Sequence, residues 1–237
     1  MISMNEITEI KGVLFDLDGT LLEMHMSKFY RSYHKYLYPR LSSNLDFGQY
    51  LKHYNEAVYK TIANNTGKTN LDVFLDEFLS HINISREKGE AILKAFYHEE
   101  YQKLRKYVTP LDKARDVVQR AFEQNLKVII ATTPVFMRDA IKARMNWARI
   151  DDLPFDLITF AEEFTTCKPY LDFYRDICDK IKLTPKECLV VGDDHNDLVA
   201  KMLGCKTFFI ESSMTNLKED TPQPDFVGNL QDLMELL

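Results

Sequence analysis

Two acidic residues, Asp16 and Asp18, directly follow the apolar run Val13-Leu14-Phe15 and directly precede Gly19. Because side chains alternate along a strand, both carboxylates point to the same side, where their like charges repel each other. This repulsion costs free energy unless a cation or a proton lies between the two groups. The spacing therefore predicts a ligand site at the end of this strand, and a hard divalent metal ion is the predicted ligand.

Three later segments also carry polar residues at or just beyond the end of a predicted strand. They are residues 128–133 (VIIATT), 167–169 (CKP) and 190–197 (VVGDDHND). Open α/β sheets bind their ligands at the edge where the strands end. We therefore expect the polar residues of these segments to meet Asp16 and Asp18 there.

Residues 16–20 (DLDGT) and these three segments, in this order, resemble the four signatures of phosphatases of the haloacid dehalogenase (HAD) superfamily. The resemblance covers residues 11–22 and 109–237. It implies a Rossmann-like α/β core with a doubly wound, mainly parallel sheet. The residues in between match the family only in position and helical character, as an inserted all-α cap of the C1 type.

A phosphate monoester resists attack because its oxygens repel an approaching anion, so catalysis needs a positioned nucleophile, charge neutralisation and a proton for the leaving group. The resemblance implies that Asp16 is the nucleophile and forms an aspartyl phosphate that water hydrolyses. It implies that Asp18 is the general acid for the departing alcohol and then the general base for water. The dehalogenases of the family carry another residue in place of Asp18. The alternatives are a strand-end cap for Asp16 and a hydrogen bond to Thr20 for Asp18.

The resemblance also implies a magnesium site formed by Asp16, the backbone carbonyl of Asp18, and Asp193. Mg²⁺ prefers oxygen ligands and keeps several waters, so two carboxylates, a carbonyl and a substrate phosphate are a suitable set. Asp193 follows an apolar strand and Gly192. It reaches the other two acids if its strand lies next to the first.

Asp197 lies one helical turn after Asp193 and is predicted to accept a hydrogen bond from metal-bound water or from the lysine. Asp194 competes with Asp193 for the metal. The family spacing Gly-Asp-x-x-x-Asp selects Asp193 and Asp197, because the residue four past Asp194 is Leu198. His195 is given no catalytic role, because a loop histidine beside acids is more often solvated or hydrogen-bonded.

Thr132, Thr133 and Lys168 are the predicted phosphate-binding residues. By resemblance, the Thr132 hydroxyl and the Thr133 backbone N–H donate to phosphoryl oxygens, and the Lys168 ammonium neutralises Asp16 and the phosphate. Family members usually have Asn or a small residue in place of Thr133. Strand packing alone also explains Thr132, and a surface lysine before a helix that starts at Pro169 also explains Lys168.

The predicted fold class is α/β, with an inserted helical domain. Residues 1–22 and 108–237 form the predicted core, and residues 23–107, rich in Tyr, Phe, Lys and Glu at helical spacing, form the predicted cap. Helix breaks are expected near Pro39, at residues 64–67, and at residues 83–86 with Ser85 as a cap. Core strands are predicted at 11–17, 127–131, 156–160, 188–191, 207–210 and 226–227, and core helices at 114–124, 138–147, 169–181, 197–203 and after 227.

The composition of the chain limits the kinds of partner and the location that we expect for the protein. The chain has 237 residues, 45% hydrophobic and 28% charged, and a net charge of −6, which disfavours non-specific binding to nucleic acid. The N-terminal residues, which include Glu6 and Glu9, show neither a secretory signal nor a membrane span, so a cytoplasmic location is expected. Without CxxC spacing, the cysteines at 167, 178, 188 and 205 are expected to be reduced, small buried hydrophobes.

The sequence therefore predicts a magnesium-dependent phosphatase that hydrolyses a small phosphorylated metabolite through an aspartyl phosphate. A phosphomutase on the same scaffold and a catalytically idle relative that binds metal and phosphate remain alternatives. Two features stay open. Residues 65–70 either form a specificity loop or face water. Aromatic residues of the cap either line a pocket for an apolar leaving group or form its core: Phe29, Tyr30, Tyr33, Tyr36 and Tyr38.

Overall fold

The computed structural model describes residues 9–41 and 45–237 of the chain, so Glu6 and most of the N-terminal segment lie outside the described residues. Eight strands are present in this part: β1 Gly12–Phe15, β2 Leu22–Met24, β3 Val108–Pro110, β4 Lys127–Ile130, β5 Leu157–Ile158, β6 Cys188–Gly192, β7 Lys206–Phe209 and β8 Phe226–Val227. Its α-helices are α1 Met26–Leu41, α2 Phe47–Ile62, α3 Asn70–Ile82, α4 Arg86–His98, α5 Ala114–Glu123, α6 Arg138–Trp147, α7 Leu171–Ile181, α8 His195–Leu198 and α9 Leu230–Leu236. Three 3₁₀ segments, Glu100–Tyr107, Pro185–Glu187 and Val199–Leu203, complete the described elements.

Six strands form one parallel sheet in the order β5-β4-β1-β6-β7-β8. β1 lies between β4 and β6, and Phe15 pairs with Ile130 on one side and with Val191 on the other. All four residues of β1 are buried, as expected for a strand covered on both faces. The predicted α/β class and doubly wound parallel sheet are confirmed.

The core elements agree with the predicted ranges to within two residues at each end, apart from the 197–203 helix. That segment is a short helix, α8, followed by a 3₁₀ segment that ends at Gly204. The helix predicted from Pro169 begins at Leu171, with Tyr170 as its N-terminal cap. The break predicted near Pro39 is also displaced, because α1 continues to Leu41. Pro39 lies in the last turn of this helix, so the backbone hydrogen bond that its missing N–H removes is close to the helix end.

The helices between β2 and β3 form an insert, residues 26–107. β2 and β3 pair with each other in antiparallel fashion, and this pairing brings the two ends of the insert together. Side chains cap its helices as local chemistry predicts: Asp46 caps α2, Thr69 caps α3, and Ser85 caps α4 by accepting from the Lys88 N–H. The division of the chain into a core domain and a cap domain stays a prediction.

Apolar residues cover both faces of the sheet. Val13 and Phe15 belong to a buried cluster that continues into the insert, whereas Leu14 belongs to a second cluster with residues of α7. At the boundary with the insert, the Trp147 ring of α6 stacks on Tyr101 with centroids 5.2 Å apart. The insert and one face of the sheet therefore share one hydrophobic cluster.

All four cysteines are buried and free, as expected. None of the helices in the described ranges is both long enough and apolar enough to cross a membrane.

His34 makes the folded state sensitive to acid. It is buried in α1, where its Nδ1 lies 2.9 Å from the Tyr50 hydroxyl, and burial lowers its pKa from 6.5 to about 4. The imidazole is therefore neutral in the folded protein and protonates more readily after unfolding. The stability contributed by a neutral His34 is present above pH 6.5 and is lost as the pH falls towards 4.

We expect the His34→Gln variant to show a weaker acid dependence of stability than the wild type. The difference in the free energy of unfolding between them should change by about 2 kcal/mol between pH 7 and pH 5. Urea denaturation across this pH range measures the effect. The control is His25→Gln, at an exposed position, which should follow the wild type. Parallel curves for His34→Gln and the wild type would contradict the expectation.

Candidate active site

Three neighbouring strands of the sheet end beside one another, and each is followed by a polar residue. Asp16 directly follows β1, Thr132 lies just past β4, and Asp193 directly follows β6. Because β1 lies between β4 and β6, the three residues converge at one edge of the sheet. The adjacency that the metal-site prediction requires is present.

The turn after β1 is built around Gly19. Its backbone has φ +97°, a conformation that side chains disfavour, and its N–H donates to the Leu22 carbonyl at 2.8 Å. A Cβ at this position would overlap the Asp193 carboxylate. The glycine therefore allows the loop of Asp16 and Asp18 to contact Asp193 directly.

We expect Gly19→Ala to destabilise the protein more than Gly67→Ala. Gly67 has φ +77° and open space around it, so its substitution introduces backbone strain without an overlap. The difference between the two variants isolates the contact with Asp193 and should be at least about 1 kcal/mol in the free energy of unfolding. Urea denaturation measures it, and equal losses in the two variants would show that the contact is unimportant.

Asp16, Asp193 and Asp197 form a buried acidic cluster in which one carboxylate oxygen of each residue lies within 4.8 Å of the other two. Lys168, 3% exposed, donates to Asp16 Oδ1 at 2.8 Å and to Asp197 Oδ1. Burial lowers the pKa of Lys168, but the two carboxylates outweigh it and hold this pKa well above its usual range. Burial raises the pKa of Asp16 well above normal, against the opposing effect of Lys168. This cluster therefore holds one cation, Lys168, among three acidic groups.

Asp193 is held by Ser212, whose hydroxyl donates to Asp193 Oδ2 at 2.5 Å. Burial, followed by the negative charge of Asp197, raises the pKa of Asp193 to about 7. A divalent cation between Asp16 and Asp193 would reverse such shifts by favouring the ionised carboxylates. Close, buried oxygen donors with raised pKa values fit a hard cation.

Asp197 differs from these two acids because both its oxygens are engaged. Oδ1 accepts from Lys168, and Oδ2 accepts from the backbone N–H groups of Asp193 at 3.3 Å and Asp194 at 3.4 Å. Asp197 thus orients the lysine and the loop, and its predicted role towards metal-bound water stays a prediction. Asp194 caps α8 by accepting from the Asn196 N–H at 2.7 Å and is absent from the acidic cluster.

Asp18 makes a contact that its sequence context does not indicate. Its Oδ2 accepts from Nη1 of Arg144, which lies on α6, is 3% exposed, and has its guanidinium 4.7 Å from the centre of the Phe136 ring. Burial raises the pKa of Asp18, and Arg144 opposes the rise. The sequence signal for Arg144 is its position on the apolar stripe of its helix. Ser212 lies in a loop, and its sequence context gives no comparable indication that it contacts Asp193.

A cavity of about 290 Å³ lies above this cluster. All seven predicted site residues line it: Asp16, Asp18, Thr132, Thr133, Lys168, Asp193 and Asp197. The insert contributes Phe29, Tyr30 and Tyr33 to the wall, whereas Tyr36 and Tyr38 are absent from it. Phe29 and Tyr33 also belong to the buried cluster, so these two side chains both line the cavity and form part of the core.

Residues 65–70 do not contribute to the described cavity wall, and residues 65–68 are exposed, so the interpretation that this stretch faces water holds for them. The last residue of the stretch, Asn70, is buried. Its side-chain amide donates to the carbonyls of Pro134 at 3.1 Å and Thr166 at 3.0 Å. Asn70 thus fastens the insert to the loops that carry Thr133 and Lys168.

Comparison with known proteins extends over nearly the whole chain. The profile of the haloacid dehalogenase-like hydrolase family matches residues 10–200, and that of the HAD-hydrolase-like family matches residues 166–236. A protein of Bacillus anthracis named pyrophosphatase PpaX is 26% identical over 97% of this chain and 97% of its own length.

Solved structures with the same fold include a predicted phosphoglycolate phosphatase from Haemophilus somnus, which is 18% identical with a TM-score of 0.62 and covers 97% of this chain and 99% of its own. CbbY from Rhodobacter sphaeroides in complex with phosphate is 20% identical, with a TM-score of 0.61, over 94% of this chain and 96% of its own. At these identities, the two structures bear on the fold alone.

Proposed function

The chain belongs to the haloacid dehalogenase-like hydrolases, and from this membership we propose that it is a magnesium-dependent phosphatase of small phosphorylated metabolites. The observation that carries the proposal is the position of Asp16. This carboxylate lines the cavity, accepts a hydrogen bond from Lys168 on one oxygen and lies close to Asp193. A buried carboxylate beside a fixed cation is suited to attack an anionic phosphoryl group, because the cation offsets the repulsion between them.

In the proposed reaction, Asp16 attacks phosphorus and the bond from phosphorus to the leaving-group oxygen breaks. Asp18, once protonated, transfers its proton to that oxygen, so the product leaves as an alcohol. Asp18 then removes a proton from the water that attacks the aspartyl phosphate, which releases inorganic phosphate and regenerates Asp16. Lys168, Thr132 and Thr133 hold the phosphoryl oxygens during both steps.

Asp16, Asp193 and the carbonyl of Asp18 are the residues that would hold Mg²⁺. When bound, the ion supplies positive charge that offsets the charge of the phosphoryl oxygens. The fit rests on the buried cluster of oxygen donors described above.

Release of inorganic phosphate from a panel of phosphorylated metabolites tests the proposal. The panel includes pyrophosphate, because a relative that matches this chain over 97% of its own length is named a pyrophosphatase. We expect turnover of at least one substrate with Mg²⁺ and its loss with a chelator. Magnesium binding without any turnover would instead indicate an idle relative.

A hexose 1-phosphate in the same panel distinguishes a phosphatase from a phosphomutase. A phosphatase releases free phosphate, whereas a mutase converts the substrate into an isomer. Formation of the isomer in place of phosphate would contradict the proposal. The cytoplasmic location and the absence of nucleic-acid and membrane partners stay predictions.

A further inference from the structure

The ion pair between Arg144 and Asp18 is largely buried, but several of its polar atoms have no hydrogen-bond partner in the described part of the chain. Asp18 Oδ1 and Arg144 Nε and Nη2 are buried without a hydrogen-bond partner among the described residues. Buried polar atoms are normally paired, because an unpaired one loses its hydration without compensation. A guanidinium and a carboxylate can form two parallel hydrogen bonds, whereas this pair is joined through Nη1 and Oδ2 alone. Both partners therefore have polar atoms that could still form hydrogen bonds.

The pair also lies where a substrate would bind. Arg144, Asp18, Asp16 and Lys168 all line the same cavity. Among the described lining residues, Arg144 and Lys168 are the only Lys or Arg side chains, and Lys168 is already shared by two carboxylates. Since Asp18 is proposed to act at the leaving-group oxygen, the next atoms of the leaving group lie near Arg144. Arg144 is thus the cation left to recognise that part of the substrate.

Resting on the phosphatase function above, we propose that Arg144 binds an anionic group on the leaving group of the substrate, and that this group replaces the Asp18 carboxylate on the guanidinium. The exchange leaves Arg144 with an anionic partner throughout, so the buried cation is never unpaired. It also releases Asp18 to turn towards the leaving-group oxygen. Recognition of the substrate and positioning of the general acid then become one event.

The size of the cavity limits the substrate class. Asp16 and Arg144 line one space of about 290 Å³, so the anionic group lies a few bonds from the phosphoryl group. A carboxylate or a second phosphate on a short chain satisfies this condition and suits the planar donor edge of a guanidinium. An ester with an uncharged leaving group leaves Asp18 on Arg144 and is hydrolysed more slowly.

The test compares 2-phosphoglycolate with its amide, two esters that share a skeleton and differ in one negative charge. We expect the wild-type kcat/KM to favour the acid by at least about tenfold. In Arg144→Gln this ratio should fall close to one, and in Arg144→Lys, which keeps the charge but loses the planar fork, it should be intermediate. The matched control is Arg138→Gln, which replaces a half-exposed arginine of the same helix that pairs with Glu163, and which should keep the wild-type ratio.

A wild-type ratio near one would overturn the proposal, and this measurement does not depend on whether the variants fold. An Arg144→Gln variant that slows both esters equally would also overturn it, because Arg144 would then act only through Asp18. If neither ester is hydrolysed but other members of the panel are, the inference is wrong and the phosphatase function stands.

Discussion

The Asp16→Asn variant is expected to lose phosphatase turnover by at least about 10³-fold, because an amide oxygen is a far weaker nucleophile than a carboxylate. The fold should persist, since the side chains have the same shape and Lys168 keeps Asp197 as a partner. Phosphate release under saturating substrate measures the loss, and thermal unfolding checks the fold.

The control for this variant is Asp172→Asn, which removes an exposed carboxylate that pairs with Arg175 on the surface. It should keep the wild-type kcat. A folded Asp16→Asn protein with more than about a tenth of the wild-type kcat would show that another residue attacks the substrate.

Among single substitutions at the site, Lys168→Met is expected to lower the stability of the protein the most. It removes the one cation between Asp16 and Asp197 and leaves both carboxylates buried and facing each other. Removal of one partner from a buried ion pair costs about 3–5 kcal/mol in the free energy of unfolding. Urea denaturation in the presence of a chelator measures this loss, and added Mg²⁺ should recover part of it by supplying a new cation.

Two further variants distinguish the loss of stability caused by breaking these buried ion pairs from the effect of removing any lysine. Lys11 pairs with Glu187 at 2.5 Å on the surface, so Lys11→Met should leave stability nearly unchanged. Adding Asp197→Asn to Lys168→Met should restore part of the lost stability, because one of the two repelling charges is removed. If Lys168→Met is no less stable than Lys11→Met, the buried lysine does not hold the acidic cluster together.

The sequence contained enough information to predict the arrangement around Asp16 and Asp193. Both follow apolar runs that are long enough to be buried strands, and alternating strands and helices favour a parallel sheet, whose strands end at one edge. The short antiparallel pair of β2 and β3 was not predicted, because three-residue strands give too little periodic signal.

The contact of Arg144 with Asp18 is not predicted from the sequence, because a charged residue in a helix with other charged residues is usually solvated. The position of Arg144 in the helix is a better indication of its burial than its residue type. Ala140, Ile141, Trp147 and Ala148 lie at helical spacing around it and are all buried, so Arg144 interrupts an apolar stripe. A charge on such a stripe indicates a buried partner. By contrast, Ser212 reaches Asp193 from a loop across 19 residues of sequence, and no local pattern predicts that contact.

The single tryptophan of the chain occupies a position that makes it an optical reporter. Trp147 stacks on Tyr101 and lies 6.4 Å from the Phe29 ring, and both of these neighbours belong to the insert. Any displacement of the insert relative to α6 changes the polarity around the indole, and with it the intensity and wavelength of its fluorescence. Any such displacement when a phosphate ester binds can therefore be followed in the unlabelled protein by the stopped-flow emission of Trp147, one helical turn from the guanidinium that is proposed to recognise the substrate.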